Sequence, residues 1–210
     1  MTGDTSRVDD LLLRAEAGDE RARSDLFEVF RQRLRGMVRL RLDRRLAGRI
    51  DPSDVLQEAY LDFERRLPEF FAGRKVPFFL WLRGLTGQRL LDLHRMHLGA
   101  QMRDAGQEVP LYHGALPAAS SVSLASQLLG RLTSPTQAAV RAEMQVRLQE
   151  ALNAMDALDR EVLVLRHFEE LSNAETADVL GIEKAAASKR YIRALARLKE
   201  ILVAIPGFFE

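Results

Sequence analysis

Six basic side chains, Lys184, Lys189, Arg190, Arg193, Arg197 and Lys199, fall within one short stretch that contains no acid. Lysine and arginine side chains donate hydrogen bonds to phosphate oxygens, and arginine can also fork onto a guanine edge. A helix carrying them could therefore enter the major groove of duplex DNA. Small residues accompany them: Ala185, Ala186, Ala187 and Ser188 open the same stretch. Small side chains let a helix approach both a supporting neighbour and a base edge closely.

Other groupings could carry different chemistry. Asp51, Asp54, Glu58, Asp62 and Glu64 gather around one helical segment. Paired carboxylates can do acid–base work, but helix capping plus a polar docking face accounts for these more simply. His94 and His97 are three residues apart, yet no third ligand and no cysteine accompanies them. No metal site and no cofactor is expected. The chain has no phosphate-cradling glycine loop, dinucleotide fingerprint or nucleophile elbow, so it does not read as an enzyme. From Arg31 to Arg49 the only acid is Asp43. That cluster reads either as a nucleic-acid track or as a solvated face paired with acids from elsewhere.

The elements that must position the basic stretch are legible. Ser172 and Glu175 have the spacing of a capping box, which starts a short helix with Ala174, Ala177 and Leu180 on its apolar face. Gly181 supplies a turn that needs a positive φ. A longer helix then runs from Lys184 to about Val203, with Ala187, Tyr191, Ala194 and Leu198 as its buried stripe. A short helix, a glycine turn and a longer helix make a helix-turn-helix.

Upstream, apolar spacings of three and four predict helix almost throughout. Leu11, Leu12 and Ala15 mark one helix, and Ala22, Leu26, Phe27 and Phe30 the next. Asp51-Pro52 starts another, with Ile50 and Val55 placed for a hydrophobic staple. It is expected to end at Pro68, leaving Phe70 to Pro77 as a loop. A helix from Phe78 to about His97 follows, with Trp81, Phe78 and Phe79 read as core. Between 100 and 133 periodicity fades and Gly, Pro, Ser and Ala accumulate, which reads as a linker holding at most a short docking turn at Leu124, Leu128 and Leu129. Ser134-Pro135-Thr136-Gln137 restarts helix, and Asp159 is expected to cap the next one. The fold expected is all-α: a helical domain over 1–100, a flexible linker over 101–133, and a helix-turn-helix domain over 134–210.

Composition agrees with this. The chain has 210 residues, 47% hydrophobic and 29% charged, no cysteine, and a net charge of +1. It can bury a core, cannot form disulfides, and does not coat nucleic acid wholesale. No apolar run approaches the ~20 residues of a membrane span, and the N-terminus is not a secretory signal. A soluble cytoplasmic protein with no membrane partner is expected.

The segment LRHFEELSNAETADVLGIEKAAASKRYIRALARLKEIL resembles the C-terminal DNA-reading domain of bacterial sigma factors, whose pattern is roughly LSxxEIAxxLGISxGTVKSRLxRAxxxL. The match runs through Leu171, Ser172, Glu175, Ala177, Leu180, Gly181, Ile182, Arg190, Arg193, Ala194 and Leu198. It departs at Ala185-Ala186-Ala187, where Gly-Thr-Val is usual. Independently, DPSDVLQEAYLDF resembles the family helix that binds polymerase, and FFLWLRGLTGQRLLDLHR resembles its FxxWLxxIAxNxxxDxxR helix. Trp81, Leu82, Asp92 and Arg95 match there, while Gln88 replaces asparagine. Order and spacing resemble the extracytoplasmic-function (ECF) group. The ending SKRYIRALARLKEIL and the arginine-rich opening are most similar to the set found in planctomycete-type bacteria.

The resemblance implies roles. Lys184, Ala185, Ser188, Lys189, Arg190, Arg193 and Arg197 would read the −35 element. Arg74, Lys75, Arg83, Gln88, Arg89, His94 and Arg95 would hold the opened −10 strand beside Phe70 and Phe71. Asp54, Gln57 and Glu58 would bind the clamp coiled coil of the β′ subunit of core RNA polymerase. Promoter DNA and an anti-sigma factor or other regulator are further expected partners. The alternative is a stand-alone helix-turn-helix transcriptional regulator, which would bind a symmetric site as a dimer without polymerase.

Overall fold

A computed structural model describes residues 2–46, 48–73, 75–98, 116–132 and 138–205, and every regular element among them is helical. The chain divides into two compact units. The first comprises Met1–Val38 and Arg45–Leu116, the second Arg39–Arg44 and Pro117–Glu210.

The first unit is built on α1 (Thr2–Glu16), α2 (Glu20–Arg41), α3 (Pro52–Gly73) and α4 (Phe78–Leu98). Gly18, at φ 97°, turns the chain between α1 and α2. Asp19 then accepts from the Ala22 amide at 3.0 Å and pairs with Arg14, which secures the start of α2. Asp51 caps α3 as its sequence suggests, accepting from the Ser53 amide at 2.7 Å. Leu26, Phe27, Phe30 and Leu34 of α2 bury with Val55, Leu56, Ala59 and Phe63 of α3.

Pro68 does not end α3, which continues to Gly73. Phe70 explains why. Its ring packs 4.9 Å from Trp81 and 5.3 Å from Phe78, so the last turn of α3 is held by aromatic burial that outweighs proline's lost backbone bond. The expected loop therefore shrinks to a few residues before α4. Trp81, Phe78 and Phe79 are buried as expected.

The second unit comprises α5 (Ser121–Leu132), α6 (Ala138–Asn153), α7 (Ala157–Leu163), a π-helical turn (Val164–Phe168), α8 (Asn173–Leu180) and α9 (Lys184–Val203). Its core joins Leu124, Ala125 and Leu129 of α5 to Leu148, Leu152, Leu163, Ala194 and Leu202. The three leucines that sequence reading gave a short docking turn thus belong to a twelve-residue helix inside the segment expected as linker. Serine and alanine hid this helix, because only its leucine face carries the signal. Ser134 to Gln137 lie outside the described residues.

A buried charge cluster sits in the same unit. Arg41 Nε donates to the Glu169 carboxylate at 2.8 Å, Nη2 also pairs with Glu161, and Nη1 donates to the Pro117 carbonyl at 2.9 Å. Burial works against the charge on Arg41, but Glu169 and then Glu161 more than offset it, and its pKa is raised.

Candidate nucleic-acid interface

The local chemistry of the helix-turn-helix is complete. Ser172 Oγ accepts from the Glu175 amide at 3.1 Å, and the Glu175 carboxylate accepts from the Ser172 amide at 2.7 Å. Gly181 stands at φ 63°. The Ile182 amide reaches back to the Ala177 carbonyl at 3.0 Å, closing the C-terminal turn of α8. Asn173 Nδ2 donates to the Lys184 carbonyl at 3.0 Å and ties the start of α8 to the start of α9. Ala187 and Ala194 are fully buried, and Tyr191 and Leu198 are half-buried beside them. The α9 stripe also rests on an apolar pocket of about 220 Å³ lined by Leu124, Leu128, Leu163, Leu195 and Leu198.

The residues expected at a −35 element divide into two groups. Lys184, Ala185 and Lys189 are exposed and Ser188 is half-buried at the front of α9. Arg197 is exposed and pairs with Glu200 at 3.0 Å. Arg190 and Arg193 behave differently. Arg193 forks onto Asp159, Nε to Oδ2 at 2.6 Å and Nη2 to Oδ1 at 2.7 Å, and Arg190 Nη1 donates to Oδ1 at 2.9 Å. The basic stretch lacks acids in sequence but receives one from α7.

That finding also corrects the expected role of Asp159. The cap of α7 is Asp156, which accepts from the Leu158 and Asp159 amides, both at 3.0 Å. Asp159 lies inside the helix with its side chain 7% exposed. Its pKa is lowered, first by the hydrogen bond from Arg193, against the cost of burial, and then by Arg190. Spacing could not separate the two aspartates as caps, because only the fold shows which one faces α9. Tyr191 makes a further contact that sequence gave no sign of: its hydroxyl lies 2.9 Å from His167 Nε2, with the Arg166 guanidinium 5.0 Å from its ring centre.

In the first unit the described residues expected at a −10 strand differ in exposure. Lys75, Gln88 and Arg95 are exposed. Arg95 pairs with Asp92 at 3.3 Å, and Arg89 is committed to Asp62 of α3 at 2.6 Å. Arg74 lies outside the described residues. Arg83 and His94 require correction, being 3% and 2% exposed, so in this conformation they offer nothing to a nucleic acid. Arg83 lies within the run from Phe78 to Gly87 that is buried at every position of α4, and His94 follows buried Leu90 by four residues on the same face. Leu116 contributes to the cover, its side chain lying where a Cβ on Gly87 would stand.

The polar trio on α3 faces solvent. Asp54, Gln57 and Glu58 are all exposed, while Val55, Leu56 and Ala59 between them are buried. Gln57 and Glu58 line a groove of about 490 Å³ together with Phe27, Tyr60 and Leu61. Leu61 is 53% exposed, an apolar residue at a polar rim that sequence reasoning passed over. The Arg31–Arg49 cluster is partly structural. Arg33 stacks 3.7 Å from the Phe79 ring centre, Arg31 pairs with Glu28, and Arg41 is buried.

Among the described residues no group of acids and histidines could hold a metal ion, and no helix is long and apolar enough to cross a membrane.

Comparison with known proteins accords with this geometry. Residues 145–198 match the family described as sigma-70, region 4. The chain is 30% identical over 204 residues to the ECF RNA polymerase sigma factor SigD of Mycobacterium tuberculosis, covering 97% of this chain and 88% of that one. It is 24% identical over 186 residues to the ECF RNA polymerase sigma factor SigW of Bacillus subtilis, covering 88% and 91%. A solved structure of CnrH in complex with the cytosolic domain of CnrY is similar in fold, with a TM-score of 0.53, 24% identity, and coverage of 92% and 96%. With its helix-turn-helix intact and the match to SigD running nearly end to end, the chain belongs to the ECF RNA polymerase sigma factors, proteins that direct transcription initiation.

Proposed function

We propose that the two units divide the work of promoter recognition. The front of α9, with Lys184, Ala185, Ser188 and Lys189, reads the −35 element in the major groove, while Arg190, Arg193 and Arg197 serve its backbone. Lys75, Gln88, Arg89 and Arg95 serve the opened −10 strand, with Arg74 as a further candidate. Asp54, Gln57 and Glu58 bind the β′ clamp coiled coil of core polymerase. The observation that carries this reading is the alternation on α3, where Asp54, Gln57 and Glu58 are exposed between buried residues and Gln57 and Glu58 line a groove with Tyr60 and Leu61. A polar edge beside an apolar groove suits a helical partner.

The protein acts in the cytoplasm, without a cofactor, and not as an enzyme. An anti-sigma factor is a partner in this reading; the support is the CnrH–CnrY complex, whose sigma-factor chain is similar in fold. The planctomycete-like subgroup rests on the α9 ending and the arginine-rich opening.

The test is transcription with core polymerase and genomic fragments, comparing wild type with Gln57→Ala and Glu58→Lys. Wild type should initiate at a subset of promoters. The α3 variants should lose core binding without loss of folding, because those side chains are exposed and unburdened by packing. Retained core binding would remove the proposed docking face. Binding of wild type alone, as a dimer, to a symmetric site would instead favour the stand-alone regulator.

A further inference from the structure

We propose that Asp159 is a positioning residue that builds, with Arg190 and Arg193, a seat for one backbone phosphodiester on the flank of α9. The proposal rests on the reading of α9 as the −35 reader and adds to it a residue outside that helix.

Arg190 and Arg193 are three apart and share one flank of α9. Both reach the same carboxylate, whose side chain is 7% exposed, whereas Arg193 itself is 61% exposed. The fork from Arg193 uses its Nε and Nη2 edge, so the Nη1 donors remain directed away from Asp159. Arg190 spends Nη1 on Asp159, with Asp156 a further 3.5 Å contact, and retains Nε and Nη2. One buried carboxylate cannot neutralise two guanidinium groups. Among the described residues, the only other acid that reaches them is Asp156, which is 61% exposed and screened by solvent. A phosphate oxygen would complete the charge and take up the remaining donors.

The competing reading is a brake, in which Asp159 occupies the arginines and must release them before DNA binds. Geometry argues against it: Arg193 holds Asp159 through its Nε and Nη2 edge while its Nη1 donors point elsewhere, so a phosphate can be met without breaking the fork. The carboxylate is also ionised at neutral pH, its pKa lying below the ordinary aspartate range. A fixed arginine loses less freedom on meeting a phosphate than a mobile one does.

The experiment uses the full chain assembled with core RNA polymerase on duplex promoter, comparing wild type, Asp159→Asn, Arg190→Ala/Arg193→Ala and the triple variant. Affinity is read against salt concentration and against single base changes in the −35 element. Asp159→Asn should weaken binding roughly tenfold and by the same factor across −35 sequences. It should lower the salt slope by about one, as expected for one lost phosphate contact. In the double-arginine background it should have no further effect. Should Asp159→Asn melt early, Arg193→Lys, which keeps the charge but cannot close the fork, must show the lowered slope instead. An unchanged slope in a folded variant overturns the proposal, and tighter binding by Asp159→Asn establishes the brake. Failure of the wild-type assembly to bind any promoter would remove the reading of α9 itself, an outcome distinct from equal behaviour of wild type and variant.

Discussion

Arg41 and Glu169, both with side chains 1% exposed, are joined at 2.8 Å and lie 128 residues apart in sequence. Removing one partner of a buried ion pair leaves an uncompensated charge, which costs about 3–5 kcal/mol. Arg41→Ala should therefore destabilise the second unit strongly, lowering its melting temperature by about 10 °C or more. Glu161→Gln should cost less, because Glu161 is 21% exposed and water can replace part of what is lost. Thermal unfolding followed by circular dichroism measures both. Equal small shifts in the two variants would show that the cluster does not hold the unit together.

The glycine turn should be similarly intolerant. Gly181 stands at φ 63°, although no neighbour lies within 4 Å of where a Cβ would be. The cost of Gly181→Ala is thus conformational rather than steric, about 1–2 kcal/mol. Ser172→Ala removes the capping box at the other end of α8 and should cost about 1 kcal/mol. Denaturant titration of each variant and of the pair checks this. The two sites lie at opposite ends of α8 and share no bond, so their effects should add within about 0.5 kcal/mol.

Gly87 offers the opposite case, where space rather than backbone conformation decides. A Cβ there would meet Leu116 Cδ2 at 1.9 Å and Cγ at 3.1 Å. Alanine is otherwise favoured over glycine within a helix by about 1 kcal/mol. Gly87→Ala alone should be near neutral, since the flexible end of Leu116 must move away. In a Leu116→Ala background the same change should stabilise by about 1 kcal/mol. A double-mutant cycle in urea gives the coupling, and no coupling would mean that Leu116 does not lie over α4 in solution.

Acid should weaken the second unit through Asp159. Its folded pKa is lowered, first through the Arg193 hydrogen bond. A depressed carboxylate contributes stability that is fully present above its unfolded value, about 3.9. That contribution is lost as pH falls below this value through the folded pKa. Stability should be flat from neutrality to about pH 5 on this account and decline below about pH 4. Asp159→Asn should start less stable at neutral pH and show a shallower decline. Melting temperatures of both proteins across this range measure the difference, and parallel curves would show that Asp159 does not contribute to it.

Much of the fold follows from residues that act on their near neighbours. Ser172 with Glu175, Gly181, and Asp51 with Pro52 set helix ends through bonds spanning only a few positions, so their types and spacing were enough. The exposed faces of α3 and of early α9 were equally legible, because a 3.6-residue period separates buried Leu56 and Ala59 from exposed Gln57 and Glu58, and buried Ala187 from exposed Lys184 and Lys189. Where a rule depended on a distant partner, the local pattern misled. Pro68 looked like a stop until Phe70 found Trp81, and a serine-rich segment looked like linker until Leu124 and Leu129 found the core of the second unit.

The charged side chains mark the limit most clearly. Composition and order determined that basic groups gather on α9, that an acid-flanked helix opens at Pro52, and that the regular elements described are all helices. The fold alone decided which charges meet. It turned Arg83, His94 and Arg41 inward, and it brought Asp159 under Arg190 and Arg193 from an element more than thirty residues away in sequence. Coulombic and hydrogen-bond partners are chosen by distance in space and by burial, and a helical period specifies neither for residues on different helices.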